Sequence, residues 1–311
     1  EDSGYLARAA LIADRIMRSI GLNGKAFIPL LSAYACAVPA IMATRTIENK
    51  RERIATILIA PFMTCSARLP IYTLIIAAFV PNHMFVGGII GLRALVMLGL
   101  YALGFFAAMF TAKLLKSSVM KASNAPFILE LPQYRWPTVQ SLALRLYDRG
   151  SLFLKKAGTV ILGVTFLVWV LSVIPIHGGN LATLANSVVG HIGRWIEPVL
   201  RPLGFNWKIG IGLVSSIVAR EVIVGTLGTL YGVDPATQSL GLQAALRHDM
   251  TLGGAIALVV FFAFAMQCTS TLAVVRRETN SWKFPVLQFT YMSVFAYVAA
   301  LITNQVITRL F

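Results

Sequence analysis

The chain has 311 residues, 57% of them hydrophobic and only 13% charged; soluble domains carry about twice that share of charge, so a soluble globular domain is excluded. Its 27 Lys and Arg against 12 Asp and Glu leave a net charge of +15. That charge falls mainly between apolar stretches, where it reads as positive-inside topology and contact with anionic lipid, and no nucleic-acid partner is expected. The expected fold class is therefore all-α, a polytopic helical membrane protein.

Taken in order, residues 3–20 read as an amphipathic helix with Leu6, Ala10, Ala13, Ile16, Met17 and Ile20 on one face. Glu1 and Asp2 sit where the helix dipole favours negative charge, and Gly21 and Gly24 end the helix. Because the sequence starts at Glu1 without Met, it is expected to begin partway through a larger protein. Phe27 to Thr44 is short for a straight span and is expected to break at Cys36-Ala37-Val38-Pro39. A charged loop, 45–53, follows.

Ile54 to Pro81 is long enough to cross a bilayer, yet Pro61, Cys65, Ser66, Arg68 and Pro70 lie near its middle. Each proline removes a helix hydrogen bond and crowds another. The pattern predicts a broken helix with free carbonyls and a thiol at membrane depth, which survives only where protein or a cavity lines it. After a short connection at Asn82-His83, Met84 to Ala112 returns across the membrane. Its glycines at 87, 88, 91, 99 and 104 suit close helix packing.

Residues 113–156 form a long connection with eight Lys and Arg against Glu130 and Asp148. Ala157 to Pro175 is the plainest span. Residues 176–208 read as a loop with an interfacial stretch and Trp195 as an anchor. Phe205 to Tyr231 is expected to span with Arg220-Glu221 inside it, 233–250 to turn, Leu252 to Val275 to span with Gln267-Cys268 near its end, and Phe284 to Leu310 to span last. Strict alternation, with 113–156 cytoplasmic, places loop 45–53 inside, 276–283 outside, and both 233–250 and the C-terminus inside.

The chain also repeats itself faintly. Residues 6–12 resemble 218–224, and Cys36 stands nine residues before Arg45 as Cys268 does before Arg277. Two such units of opposite topology are a transporter signature, with the site at their interface. The expected divisions are 1–112 for a first gate repeat, 113–156 for the basic connection, 157–208 for a linking span and external loop, and 209–311 for a second gate repeat.

Cys36, Cys65 and Cys268 do not make a disulfide framework. As thiolates they are candidate metal ligands suited to Fe(II), Zn or Cu(I) over Mg or Ca, and as plain thiols they are ordinary small core residues. Glu221 is the sharpest ionisable residue, because a charge at the centre of a span costs about 3 kcal/mol. It is read either as a cation ligand or as the partner of an arginine such as Arg68. Ser66 is a secondary candidate. Arg8 and Arg68 read as structural, and Met63 and Met266 as core filling. No phosphate loop, HExxH or catalytic triad is present, so the chain is not expected to be an enzyme.

Ala60-Pro61-Phe62-Met63-Thr64-Cys65-Ser66-Ala67-Arg68-Leu69-Pro70 resembles the membrane half of the ferrous iron transport protein B family. So do residues 1–9, Cys36-Ala37-Val38-Pro39-Ala40, Arg51-Glu52-Arg53, 218–222 and 268–278. The resemblance implies two inverted gate modules with broken helices, Fe(II) as transported substrate, and a multi-pass position in the bacterial inner membrane. It implies Cys36, Cys65 and Cys268 as pore ligands. It further implies that GTP and Mg belong to an N-terminal G domain outside these residues, with small accessory iron-transport proteins and a homo-oligomer as further partners. Two positions depart from the family pattern: Ala35 stands where Gly is usual, and Gln267 where Pro is frequent. Alternatives left open are a nucleoside-transporter-like gate for an organic substrate and a non-transporting membrane scaffold.

Overall fold

The computed structural model describes residues 5–19, 21–85, 90–118, scattered positions between 138 and 170, 188–218, 220–232, 238–266 and 268–310. The expected span 157–175 and most of the basic connection lie outside the described residues. Helix dominates, as composition requires; among the described residues the one exception is a two-strand ribbon, Met84–Phe85 (β1) antiparallel to Ile90–Gly91 (β2).

Among the described residues four stretches are long and apolar enough to span a bilayer: Lys50–Phe79, Leu92–Leu115, Leu252–Thr279 and Lys283–Leu310. The first and third are 67% and 53% buried, against 22% for each of the others. The two inner spans are the broken ones. The outer two present Leu95, Leu98, Phe106, Phe110, Val294 and Ile302 as the apolar belt that lipid requires.

The helices form two compact units. Unit one comprises Glu1–Ser66, Leu103–Gly158 and Ser270–Val286; unit two comprises Ala67–Ala102, Thr159–Thr269 and Leu287–Phe311.

In unit one, α1 (Tyr5–Ser19) buries Ala10, Ala13 and Met17 and exposes Leu11 and Ile12, in keeping with its amphipathic pattern. A left-handed Gly21 ends it, with Leu22 N–H donating to Met17 O at 2.9 Å. Next, α2 (Phe27–Ala33) and α3 (Ala37–Ala43) pack against each other across a turn at Tyr34-Ala35. Each has only 7 residues, about 10 Å of helix against a hydrocarbon core of about 30 Å. The two ends of this segment meet: Lys25 Nζ lies 2.8 Å from Glu48 Oε1. The expected broken span is thus a re-entrant hairpin that leaves on the side it entered.

Asn49 caps α4 (Lys50–Ile59), accepting from Arg51 N–H. A 3-10 turn at Ala60–Phe62 and a second at Ser66–Arg68 enclose the break Met63-Thr64-Cys65, after which α5 (Leu69–Phe79) resumes. Both prolines fall in first turns, where no N–H is needed, so they delimit the break instead of kinking a continuous helix.

Unit one closes on α12 (Thr269–Thr279). Its Glu278 side chain, 3% exposed, receives Arg45 through Nε at 2.9 Å and Nη2 at 2.6 Å, and Arg53 Nη2 at 2.7 Å. Loops 45–53 and 276–283 therefore lie on one side of the membrane, which corrects the alternation count. The miscount arose in unit two.

There α8 (Trp207–Ser216) and α9 (Val222–Leu230) also pack against each other, and their outer ends meet. Asn206 approaches the Tyr231 hydroxyl at 3.5 Å, and Lys208 Nζ sits 4.2 Å from the centre of its ring. Phe205–Tyr231 is a second re-entrant hairpin, not a crossing. One crossing fewer brings 276–283 to the side of 45–53.

The rest of unit two surrounds this hairpin. On α8 packs α7 (Val188–Leu200), which exposes Trp195, as expected of an interfacial anchor. The expected turn 233–250 holds a helix, α10 (Gln238–Asp249), whose Arg247 donates to Ala78 O at the end of α5. α11 (Leu252–Phe264) packs on α5, and α13 (Lys283–Leu310) reaches back so that Asn304 donates to Pro202 O at 3.0 Å. Gly204 is left-handed (φ 80°), and a Cβ there would lie 3.1 Å from the Gly254 Cα, so only glycine fits this approach.

Candidate functional site

Each hairpin turns at a point where the backbone leaves helix, and in each unit the break of an inner span is bonded to that turn. In unit one Ser66 makes the connection. Its N–H donates to Tyr34 O at 3.1 Å and its hydroxyl to Ala35 O at 2.9 Å. The two cysteines adjoin this pair, Cys36 directly after Ala35 and Cys65 directly before Ser66, and both are half-buried. Cys36 is extended (φ −158°, ψ 134°) and stands at the start of α3 without a side-chain cap bond.

The carbonyls of Tyr34 and Ala35 at this turn are thus engaged. Ala35 in place of glycine does not loosen the turn. Its N–H donates to Ser32 O at 3.1 Å, and Asn280 is the sole non-glycine at positive φ among the described residues.

Thr64, one residue before Cys65, is fully buried, and its hydroxyl has no hydrogen-bond partner among the described residues. Helix α6 (Leu92–Ser118) passes so close that a Cβ on Gly104 would lie 2.8 Å from that hydroxyl and 2.9 Å from Phe62 O. The expected close packing of the glycine-rich span is met at Gly104, while Gly91 and Gly99 have nothing nearby.

In unit two Thr269 does what Ser66 does in unit one. Its N–H donates to Ile217 O at 3.2 Å and its hydroxyl to Val218 O at 3.1 Å. Cys268 directly precedes it, half-buried. α11 ends at Ala265, whose carbonyl accepts from the buried Arg220 Nη2 at 2.9 Å. Glu221, half-buried, opens α9 without a cap bond, and among the described residues no ion pair joins it to Arg68. Arg68 itself is fully buried. Gln267 lies outside the described residues.

These bonds set the internal correspondence. Tyr34-Ala35 matches Ile217-Val218, and Cys65-Ser66 matches Cys268-Thr269. Cys268 is therefore the counterpart of Cys65, not of Cys36 as the nine-residue spacing implied. Directly after Val218, as Cys36 follows Ala35, the sequence has Ala219, which lies outside the described residues. The resemblance of 6–12 to 218–224 has no structural counterpart, since 6–12 lie within the single helix α1, whereas Val218 lies in the hairpin turn and 222–224 begin α9. Sequence reasoning missed Thr269, Thr64 and the lock of Arg220 on Ala265. The signal for Thr269 was present, as a hydroxyl residue directly after a cysteine in both halves.

Chemically, unit one offers two thiols beside a hydroxyl, and unit two one thiol and a carboxylate. Among the described residues no three His, Cys, Asp or Glu side chains form a group able to hold a metal ion. Such a donor set suits transient ligation more than a closed cage of four thiolates.

The family model for gate proteins, described as nucleoside recognition, matches residues 1–79 and 154–282. The model for the ferrous iron transport protein B C terminus matches 97–149. A Fe(2+) transporter FeoB of Leptospira interrogans is 45% identical over 98% of this chain and 46% of its own length. Transporters of the same name from Leptospira biflexa and Staphylococcus aureus strain COL are each 41% identical over 98% of this chain, and over 46% and 44% of their own lengths. The chain thus spans less than half the length of these curated relatives. No solved structure matches it.

Proposed function

The chain belongs to the gate family and is a C-terminal membrane portion of the ferrous iron transport protein B kind, and from that premise we propose that it forms the Fe(II) path of such a transporter. The observation that carries the reading is the pair of hydrogen bonds from Ser66 to Tyr34 and Ala35, which holds the backbone of Cys36 and Cys65 around one turn. Cys36, Cys65 and Cys268 are the proposed ligands, with Glu221 and Ser66 secondary. Fe(II) exchanges part of its water shell for thiolate and oxygen donors and must leave again, which asks for few ligands and a loose geometry. Because a bound thiol gives up its proton, uptake through this path rises with pH. Each break pairs a thiol with a hydroxyl, Cys65-Ser66 and Cys268-Thr269, and the similar proteins are named Fe(2+) transporters, which disfavours an organic substrate.

The proposal places the protein in the bacterial inner membrane, with the basic loop 45–53 and the 276–283 turn on the cytoplasmic face. By the corrected count, 233–250 and the C-terminus face the other way, and 1–112 and 209–311 remain the proposed gate repeats. GTP and Mg would act on an N-terminal G domain of the complete protein. Accessory iron-transport proteins and a homo-oligomer complete the proposed assembly.

The test is anaerobic Fe(II) entry into proteoliposomes, comparing the chain with the Cys36→Ser/Cys65→Ser/Cys268→Ser variant. Loss of entry in the variant supports the path, and undiminished entry sinks it. Orientation is tested separately, with Arg51→Cys and Ser281→Cys in that cysteine-free variant. Both are expected to react with an impermeant maleimide from the same side.

A further inference from the structure

The turn between α12 and α13 carries a cavity that the transport path does not use. It encloses about 450 Å³ and is lined by Ala273, Arg276, Arg277, Asn280, Ser281 and Trp282. That volume lies within the range of about 300–1,000 Å³ typical of ligand pockets. The turn is built, not slack. Asn280 is left-handed at φ 50°, the Thr279 hydroxyl donates to Val275 O at 2.7 Å, and Ser281 Oγ accepts from Lys283 N–H at 3.2 Å to start the next helix.

Arg276 lies over the Trp282 ring, 4.1 Å from its centre, which fixes one guanidinium at the rim. Arg277 is 66% exposed, and its nearest carboxylate contact, to Glu278, is a long 3.9 Å. Glu278 is the only carboxylate of the turn, and Arg45 and Arg53 already engage both of its oxygens. Arg276 and Arg277 are therefore left with donors and charge directed at whatever enters the cavity. Basic residues in a last helical turn commonly serve the helix dipole, but that role requires neither the cavity nor the stacked tryptophan.

The position narrows the ligand. The turn joins two candidate spans, Leu252–Thr279 and Lys283–Leu310, and Trp282 is 61% exposed. An exposed tryptophan between two spans marks headgroup depth. The bonds of Glu278 to Arg45 and Arg53 put the turn on the face that also carries Lys50 and Arg51. A basic face at headgroup depth meets anionic lipid. The guanidinium fork matches phosphate oxygens two at a time.

The geometry points to a binding site for a phosphate group, that of an anionic phospholipid, held by Arg276 and Arg277 with its glycerol end along Trp282. The site stands independently of any metal path. Its test uses the whole chain in neutral detergent, titrated with phosphatidylglycerol, phosphatidylcholine or inorganic phosphate and read by native mass spectrometry. Phosphatidylglycerol is expected to bind about 10-fold or more tightly than phosphatidylcholine. Arg276→Gln/Arg277→Gln is expected to abolish the preference, Arg277→Gln alone to reduce it, and Arg309→Gln, on the exposed end of α13, to keep it. Matched melting curves of the variants exclude misfolding as the cause. Equal preference in wild type and double variant overturns the site, and loss in Arg309→Gln reduces it to general charge. Displacement of phosphatidylglycerol by inorganic phosphate at equal concentration would assign the site to a soluble phosphate instead.

Discussion

The two hairpin turns are wired alike and furnished differently. In each, a hydroxyl residue directly after a cysteine donates its N–H and its side chain to two successive carbonyls, from Ser66 to Tyr34 and Ala35 and from Thr269 to Ile217 and Val218. Around the first turn stand two thiols. Around the second stand one thiol, the Glu221 carboxylate and an arginine locked on Ala265. The backbone device is duplicated, while the ligand chemistry is not. The bonds that hold each break are the same in both units, and the side chains beside them differ.

The comparison is broken most decisively at the thiols. If the first turn is the main binding point, Cys36→Ser/Cys65→Ser should cut Fe(II) uptake far more than Cys268→Ser. Substitution of outer-shell residues alone costs about 10–100-fold in metal affinity, so losing two direct ligands should reach at least the upper end. Equal losses in the two variants would make the turns functionally equivalent. A larger loss in Cys268→Ser would move the principal site to unit two.

Next in size is Glu278, which fastens α12 to Arg45, between α3 and α4, and to Arg53 on α4, inside unit one. Removing one partner of a buried pair costs about 3–5 kcal/mol. Arg45 is 55% exposed, so part of that is screened, and Glu278→Ala should cost about 2 kcal/mol in denaturant titrations. In unit two the Asp249 carboxylate meets Lys208 Nζ at a longer 3.3 Å and is 27% exposed, so a matched Asp249→Ala change should cost less. Smaller again is Ser66→Ala, which removes one of two bonds at an exposed position and should cost about 1 kcal/mol. Ser66→Thr should restore it, because threonine performs the same task at 269. Uptake by the Ser66→Ala protein that matches wild type would show that the backbone bond to Tyr34 suffices.

Much of this was legible in the sequence, for identifiable reasons. Proline and polar residues inside an apolar run have few explanations in a membrane, so the breaks at Cys36 and Cys65 were readable before any coordinates. What an apolar run does not encode is whether it crosses or returns. Phe27–Thr44 and Phe205–Tyr231 have the composition of spans, and only Lys25 meeting Glu48, or Lys208 meeting Tyr231, shows the chain folding back. One hairpin taken for a crossing inverts every later loop and so sets 276–283 opposite 45–53. The pairing of Cys36 with Cys268 failed for a related reason. Nine residues to an arginine is a distance along the chain, whereas Ser66 and Thr269 are equivalent by what they bond.

The smallest expected effect tests the closure of the first hairpin. The Lys25 ammonium, 2.8 Å away, holds the Glu48 carboxyl below its usual range by hydrogen bond and charge. A carboxyl depressed in the folded state contributes stability above its unfolded pKa and loses it as pH falls through the folded value. Acidification below the ordinary glutamate range should therefore loosen the α2–α3 base, seen as faster amide exchange at Asn23 to Phe27 and Ile47 to Asn49. Glu48→Gln should produce the same exchange at neutral pH and make it insensitive to acid. The side chain of Glu48 is 88% exposed, so the change should be slight and should shrink further in high salt. The second hairpin is closed by Lys208 over the Tyr231 ring and against Asp249, 3.3 Å away, whose carboxyl is also held below its usual range. Acid should therefore loosen both bases, while Glu48→Gln changes only the first. Acid loosening of the first base that persists in Glu48→Gln would mean that Lys25–Glu48 is not what holds it shut.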